Sequence, residues 1–144
     1  MKSNVYGALM ILALAVMVSA APLAQAQAQA RVRATVPFEF GLGQSSMPAG
    51  VYEVSSLSNN VLAVRNLETK DARLMIQSMH VDAQGEGIPS AKLVFHKYAG
   101  QYFLTEIWSG QSSIGIAFPE SKREQELRLA ANTYQPEVVV IAMK

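Results

Sequence analysis

The chain has 144 residues, no cysteine and a formal net charge of +1. Without cysteine there is no disulfide to staple a small secreted domain and no thiol to carry a lipid, so stability must rest on an apolar core. Its 12 basic and 11 acidic residues are interspersed. That excludes the basic face that nucleic acid requires and the polybasic surface that anionic lipid attracts.

Lys2 and the amino terminus form a short positive segment, and residues 5–18 are all apolar, Tyr or Gly. Such a run matches the core of a signal peptide and falls short of the roughly 20 residues a membrane span needs. Pro22 then breaks the helix, and Ala24-Gln25-Ala26 offers small residues two apart for a signal peptidase. The expectation is a signal peptide over 1–26, with cleavage as late as residue 30, and a single β-rich domain over 27–144. The mature protein is then exported, periplasmic or extracellular, with no transmembrane helix. At about 120 residues it has the commonest size for one domain.

Beyond that point the chain reads with the strand period of two. Over 32–40, Val32, Ala34, Val36, Phe38 and Phe40 share one face, and Pro37 on the other predicts an edge position or a bend. Residues 41–46 read as a loop. Met47-Pro48-Ala49-Gly50 places Pro and Gly where a type I turn favours them. Strands follow over 51–57 and 61–65, with Asn59-Asn60 between them as a turn. Residues 73–81 read as one more strand, and the Gly- and Pro-bearing stretch 82–90 as a loop.

The clearest element is a hairpin, 92–98 and 101–108, joined by Ala99-Gly100. A two-residue connection pairs Phe95 with Leu104 and His96 with Phe103. Strict alternation then puts Leu93, Phe95, Tyr102, Leu104 and Trp108 on one face, and Val94, His96, Tyr98, Phe103 and Ile107 on the other. A short strand over 114–118 follows. Ser121 and Glu124 have the spacing of a capping box opening a helix over 122–131, in which Glu124 and Arg128 pair at i,i+4. The β-branched run 137–143 reads as a final strand buried on both faces. The fold class is therefore mainly β: an antiparallel sandwich or small barrel of seven to eight strands, with one short helix before the last strand.

The strings Val36-Pro37-Phe38-Glu39-Phe40, Met47-Pro48-Ala49-Gly50-Val51-Tyr52, Leu93-Val94-Phe95-His96-Lys97-Tyr98, Tyr102-Phe103-Leu104-Thr105-Glu106-Ile107-Trp108 and Ser121-Lys122-Arg123-Glu124-Gln125-Glu126-Leu127 together resemble an uncharacterised family of small secreted acidobacterial proteins. Met47 stands where that pattern has Leu, a volume-conserving exchange. The resemblance implies a free-standing domain from a Gram-negative source, and with it a periplasmic or extracellular location. It carries over no catalytic or ligand residue.

Chemistry is sparse. His80 and His96 are the only imidazoles, too few for a zinc site without cysteine, so no metal and no cofactor is expected. Gly110-Gln111-Ser112-Ser113-Ile114-Gly115 misses the nucleophile-elbow spacing by one residue. Glu124 and Glu126, with Arg beside them, read as a solvated helix surface. The candidate ligand-binding residues are His96, Tyr98, Tyr102, Glu106 and Trp108, because aromatics on one hairpin can line a pocket. The preferred reading is a non-enzymatic exported domain that binds a small apolar ligand or another envelope protein. Its alternatives are a hydrolase-like enzyme using His96 and Glu106 as acid and base, and a small outer-membrane barrel.

Overall fold

A computed structural model describes residues 31–58, 61–76, 79–85, 87–131 and 135–144. The export segment with its cleavage site, the Asn59-Asn60 turn and the helix stop at Asn132 lie outside these residues. Eleven strands and one helix are present among the described residues: β1 (Arg31–Val36), β2 (Phe40–Leu42), β3 (Ser45–Met47), β4 (Gly50–Ser58), β5 (Val61–Asn66), β6 (Ala72–Ile76), β7 (Met79–Asp82), β8 (Lys92–Tyr98), β9 (Gln101–Trp108), β10 (Ile114–Ala117), α1 (Lys122–Ala130) and β11 (Glu137–Ala142).

Four strands form one antiparallel sheet in the order β1-β4-β5-β6. The second sheet runs β11-β8-β9-β10-β7. Strand β9 is long enough to divide one edge between two neighbours. Tyr102 and Phe103 pair in parallel with Phe40 and Gly41 of β2, while Glu106 and Ile107 pair with Ala117 and Ile116 of β10. Strand β3 then pairs with β2.

The two sheets face each other across one core. Ala34, Val36, Tyr52, Val54, Leu62 and Val64 from the first meet Phe40, Leu93, Phe95, Leu104 and Ile107 from the second. Phe40 packs edge-on against Tyr52 and Phe95, with ring centroids 5.1 and 5.2 Å apart, the arrangement that aromatic quadrupoles favour. Along one side the sheets are stitched by backbone: Arg33 and Lys144 exchange N–H···O bonds of 2.8 and 2.9 Å. On the other side β6 and β7 are edge strands. The architecture is thus a sandwich and not a closed barrel.

Several sequence expectations hold with changes that have local causes. Strand β1 ends at Pro37, the first residue that cannot donate to a ladder, and β1 lies at the edge of its sheet. The chain then enters the other sheet as β2, so the expected single strand over 32–40 is two. The loop over 41–46 is a tight hairpin, because Gly43 takes φ 59° and lets the chain reverse between β2 and β3. The expected strand over 73–81 is also two, β6 and β7, in different sheets. These changes account for eleven strands where eight were read.

The hairpin register is as expected, Phe95 with Leu104 and His96 with Phe103. Ala99 and Gly100 both have positive φ, 46° and 79°, as a type I′ turn demands. The face assignment beyond it is corrected. A bulge at Thr105 sets Val94 opposite Glu106 and Leu93 opposite Ile107. An extra residue exchanges the two faces of everything beyond it. Ile107 therefore enters the core cluster with Leu104, and Trp108 leaves it. The Thr105 hydroxyl donates to the Val94 carbonyl at 3.1 Å and fixes the bulge.

Strand β11 is buried on one face only: Val138 and Val140 are exposed, while Val139 and Ile141 pack against the core. Its outward face runs beside β8 at the margin of the sheet, where no other layer covers it among the described residues.

Candidate functional site

The five residues expected to form a site are placed on two faces. Tyr102 lies on the core side, stacked on Phe38 with centroids 3.8 Å apart and planes 11° from parallel, and the Lys97 ammonium sits 5.6 Å from its ring. His96 and Tyr98 are on the outer face of β8, where α1 crosses. Farther along that face, the Trp108 indole N–H donates to Glu106 at 2.8 Å. The other side of that indole is packed on Gly115, and Lys92 lies 5.3 Å from the ring centre. Trp108 is buried, so it reads as packing and not as an exposed platform.

His96 has a carboxylate neighbour, supplied by the helix and not by β9. Its Nδ1 stands 3.5 Å from Oε1 of Glu124, whose side chain is 3 % exposed. Helix α1 explains how an acidic residue comes to be there. Ser121 caps it, its hydroxyl accepting the Glu124 N–H at 3.1 Å. Glu124 is the buried residue of the helix, and Leu127, at i+3 on the same stripe, is half-buried. The reciprocal half of the capping box is given up, because the Glu124 side chain turns to His96. Two sequence expectations are corrected by this. Glu124 is a buried group and not part of a solvated surface, and Arg128 pairs with Glu120, at 3.3 Å, and not with Glu124.

Neither His96 Nδ1 nor Glu124 Oε1 completes a hydrogen bond. They approach to 3.5 Å at the boundary between helix and sheet. Tyr98 shares this boundary, and burial pushes its hydroxyl pKa up from 10.0, with the nearby Glu124 and Glu120 charges acting in the same direction. The cluster lies where α1 meets the sheet, and the Ser121 hydroxyl beside it accepts the capping bond.

A different place has the shape of a ligand site. A half-open cleft of about 460 Å³ lies between the β2–β3 hairpin, the turn entering β9 and the first turn of α1. Such a volume is within the usual range for small-molecule sites. Its floor is low because Gly41 has no side chain: the Phe103 ring lies where a Cβ would come within 2.7 Å of it. Glu39, Ser46, Gln101 and Arg123 supply its polar rim, and Tyr102 closes part of one wall. Ser46 donates its hydroxyl to Glu39 Oε1. Arg123 donates through Nε to Gln101 at 3.4 Å and approaches Glu126 at 3.5 Å.

Of the residues picked from sequence, only Tyr102 borders this cleft. Glu39, Ser46, Gln101 and Arg123 were not picked, because nothing in their local patterns marks them. They converge through the parallel pairing of β2 with β9 and through the docking of α1, and both are tertiary events. His80 and Asp82 are exposed on β7, and no group of three or more His, Asp or Glu side chains converges among the described residues. Nor is any helix among them long and apolar enough to cross a membrane.

Comparison with known proteins adds no assignment: no family model, no curated protein and no solved structure matches this chain.

Proposed function

We propose that the chain is an exported, non-enzymatic binding domain of the cell envelope or its surroundings, and that the cleft beside the β2–β3 hairpin is where its ligand sits. The observation that carries the reading is the cleft itself. It is a concave site walled by a hairpin, a type I′ turn and a capped helix, with unlike polar groups pointed into one space. The signal-like segment at the N-terminus supports the location.

Two features argue against the other readings. The space between the sheets is filled by aromatic and aliphatic side chains, so an apolar ligand held in a hollow interior is not favoured. The imidazole of His96 faces Glu124, and Glu106 is engaged by Trp108, so His96 and Glu106 do not form an acid–base pair with each other.

The test is an amide-resolved NMR screen of residues 27–144 against a library of polar fragments. Fragments should shift the amides of Gly41, Gly43, Ser46 and Gln101 in preference to all others. A screen that shifts no cleft amide, or gathers its hits on another surface, overturns the assignment.

A further inference from the structure

Resting on the assignment of this cleft as the ligand site, we infer that it takes an uncharged, polyhydroxylated ligand, a segment of saccharide chain. The rim carries one carboxylate, Glu39, and one guanidinium, Arg123, so its formal charge sums to zero. An anion attracted to Arg123 meets Glu39 within the same small space, and a cation attracted to Glu39 meets Arg123. Like-sign neighbours of that kind select against a charged ligand.

The internal hydrogen bonds show what remains on offer. Glu39 uses Oε1 to accept from Ser46, and its second oxygen has no partner among the described residues. Gln101 uses its carbonyl to accept from Arg123, which leaves its NH₂ free to donate. Ser45 and Gln44 add a hydroxyl and an amide at the same rim. The opening thus offers both acceptors and donors. A hydroxyl group is the partner that answers both, since it gives one proton and accepts two. Neighbouring hydroxyls on a sugar ring present such groups in series. The walls also expose apolar surface, about as much as polar, part of it from the half-buried Tyr102. The C–H faces of a sugar ring can cover such surface while its hydroxyls meet the polar rim.

Ser46 donates to Glu39, and Arg123 reaches Gln101 at 3.4 Å across the gap between β9 and α1, so the four polar groups border one opening.

The experiment is an NMR titration of residues 27–144 with four probes: maltotetraose, tetra-N-acetylchitotetraose, glycylglycine and inorganic phosphate. One or both saccharides should shift the amides of Gly41, Ser46 and Gln101 in a saturable way. Glu39→Gln and Arg123→Ala should each weaken that binding at least about tenfold, the loss expected for one hydrogen bond to a charged group. Both side chains are at the surface, and both variants should keep the unfolding temperature of the parent. No saccharide shift up to about 10 mM, which leaves only affinity too weak to matter, overturns the inference. So does saccharide binding that survives both substitutions, or a response to glycylglycine or phosphate in place of the saccharides. If the saccharides fail while the fragment screen still collects in the cleft, the ligand class is wrong and the site stands. If both fail, the site itself falls.

Discussion

Replacing His96 by Phe should destabilise the domain more than replacing its partner Glu124 by Leu, and the double replacement should recover most of the loss. Glu124 is 3 % exposed at the helix–sheet boundary, with His96 Nδ1 3.5 Å from its Oε1. Removing one member of a buried pair leaves the other charge without compensation, at a cost of about 3–5 kcal/mol. His96 is 29 % exposed on its side chain, so water reaches part of this boundary and relieves some of that penalty. For His96→Phe the expected loss is about 2–3 kcal/mol. Glu124→Leu removes the carboxylate instead. It leaves an imidazole whose side chain is 29 % exposed and so reached by water, and the change should fall within about 1 kcal/mol of the parent. In the double variant two apolar side chains of similar size meet where two polar ones had unmet valences, and the coupling energy should restore about 2 kcal/mol relative to simple addition. Urea unfolding of all four proteins at neutral pH, with slopes checked for equality, measures each quantity. If His96→Phe lies within about 0.5 kcal/mol of the parent, or if the double variant is as unstable as the sum of the singles, the contact is not what secures α1 to the sheet.

Other expectations follow from single observations. A Cβ on Gly115 would come within 2.7 Å of the Trp108 ring, so Gly115→Ala should cost about 1–3 kcal/mol by overpacking and shift the indole emission; an unchanged melting temperature and spectrum would contradict the packing. Ala99 occupies a left-handed position, φ 46°, and Ala99→Asn should stabilise by about 0.5–1 kcal/mol in thermal unfolding, because Asn tolerates that region; a loss of stability would refute the type I′ assignment. Burial raises the Tyr98 hydroxyl above 10.0, so the unfolded chain releases that proton first as the solution becomes alkaline. The stability Tyr98 contributes is complete below pH 10 and is lost as pH climbs through its folded value. Tyr98→Phe should therefore show a shallower decline of stability above about pH 10 than the parent, and equal slopes would place Tyr98 in contact with water.

Much of the architecture is legible in the sequence because it depends on local chemistry. Alternation marked β4, β5, β8 and β9, Pro37 marked an edge strand, and Ser121 marked the start of α1. The failures arose where one residue changes the count or where tertiary contact overrides pattern. Thr105 is unremarkable as a letter, yet its bulge decides that Ile107 is core and Trp108 is not. Four consecutive β-branched residues in β11 suggested burial on both faces, but a strand at the margin of its sheet needs only one. Glu124 was read by its charge, although the 3.6-residue period already set it in line with Leu127. The cleft was not legible at all, since Glu39, Gln101 and Arg123 come from three separate segments and meet only after β2 has aligned with β9.

The stitch between Arg33 and Lys144 has a consequence for the order of assembly. Among the described residues it joins the earliest strand to the very end of the chain, and Met143, beside it, fills part of the core. Contacts so distant along the backbone form late, because the intervening segment must be gathered first. The flank between the two sheets therefore closes only once residues 143–144 have been brought back to Arg33, so a change that weakens Met143 packing should loosen this side first.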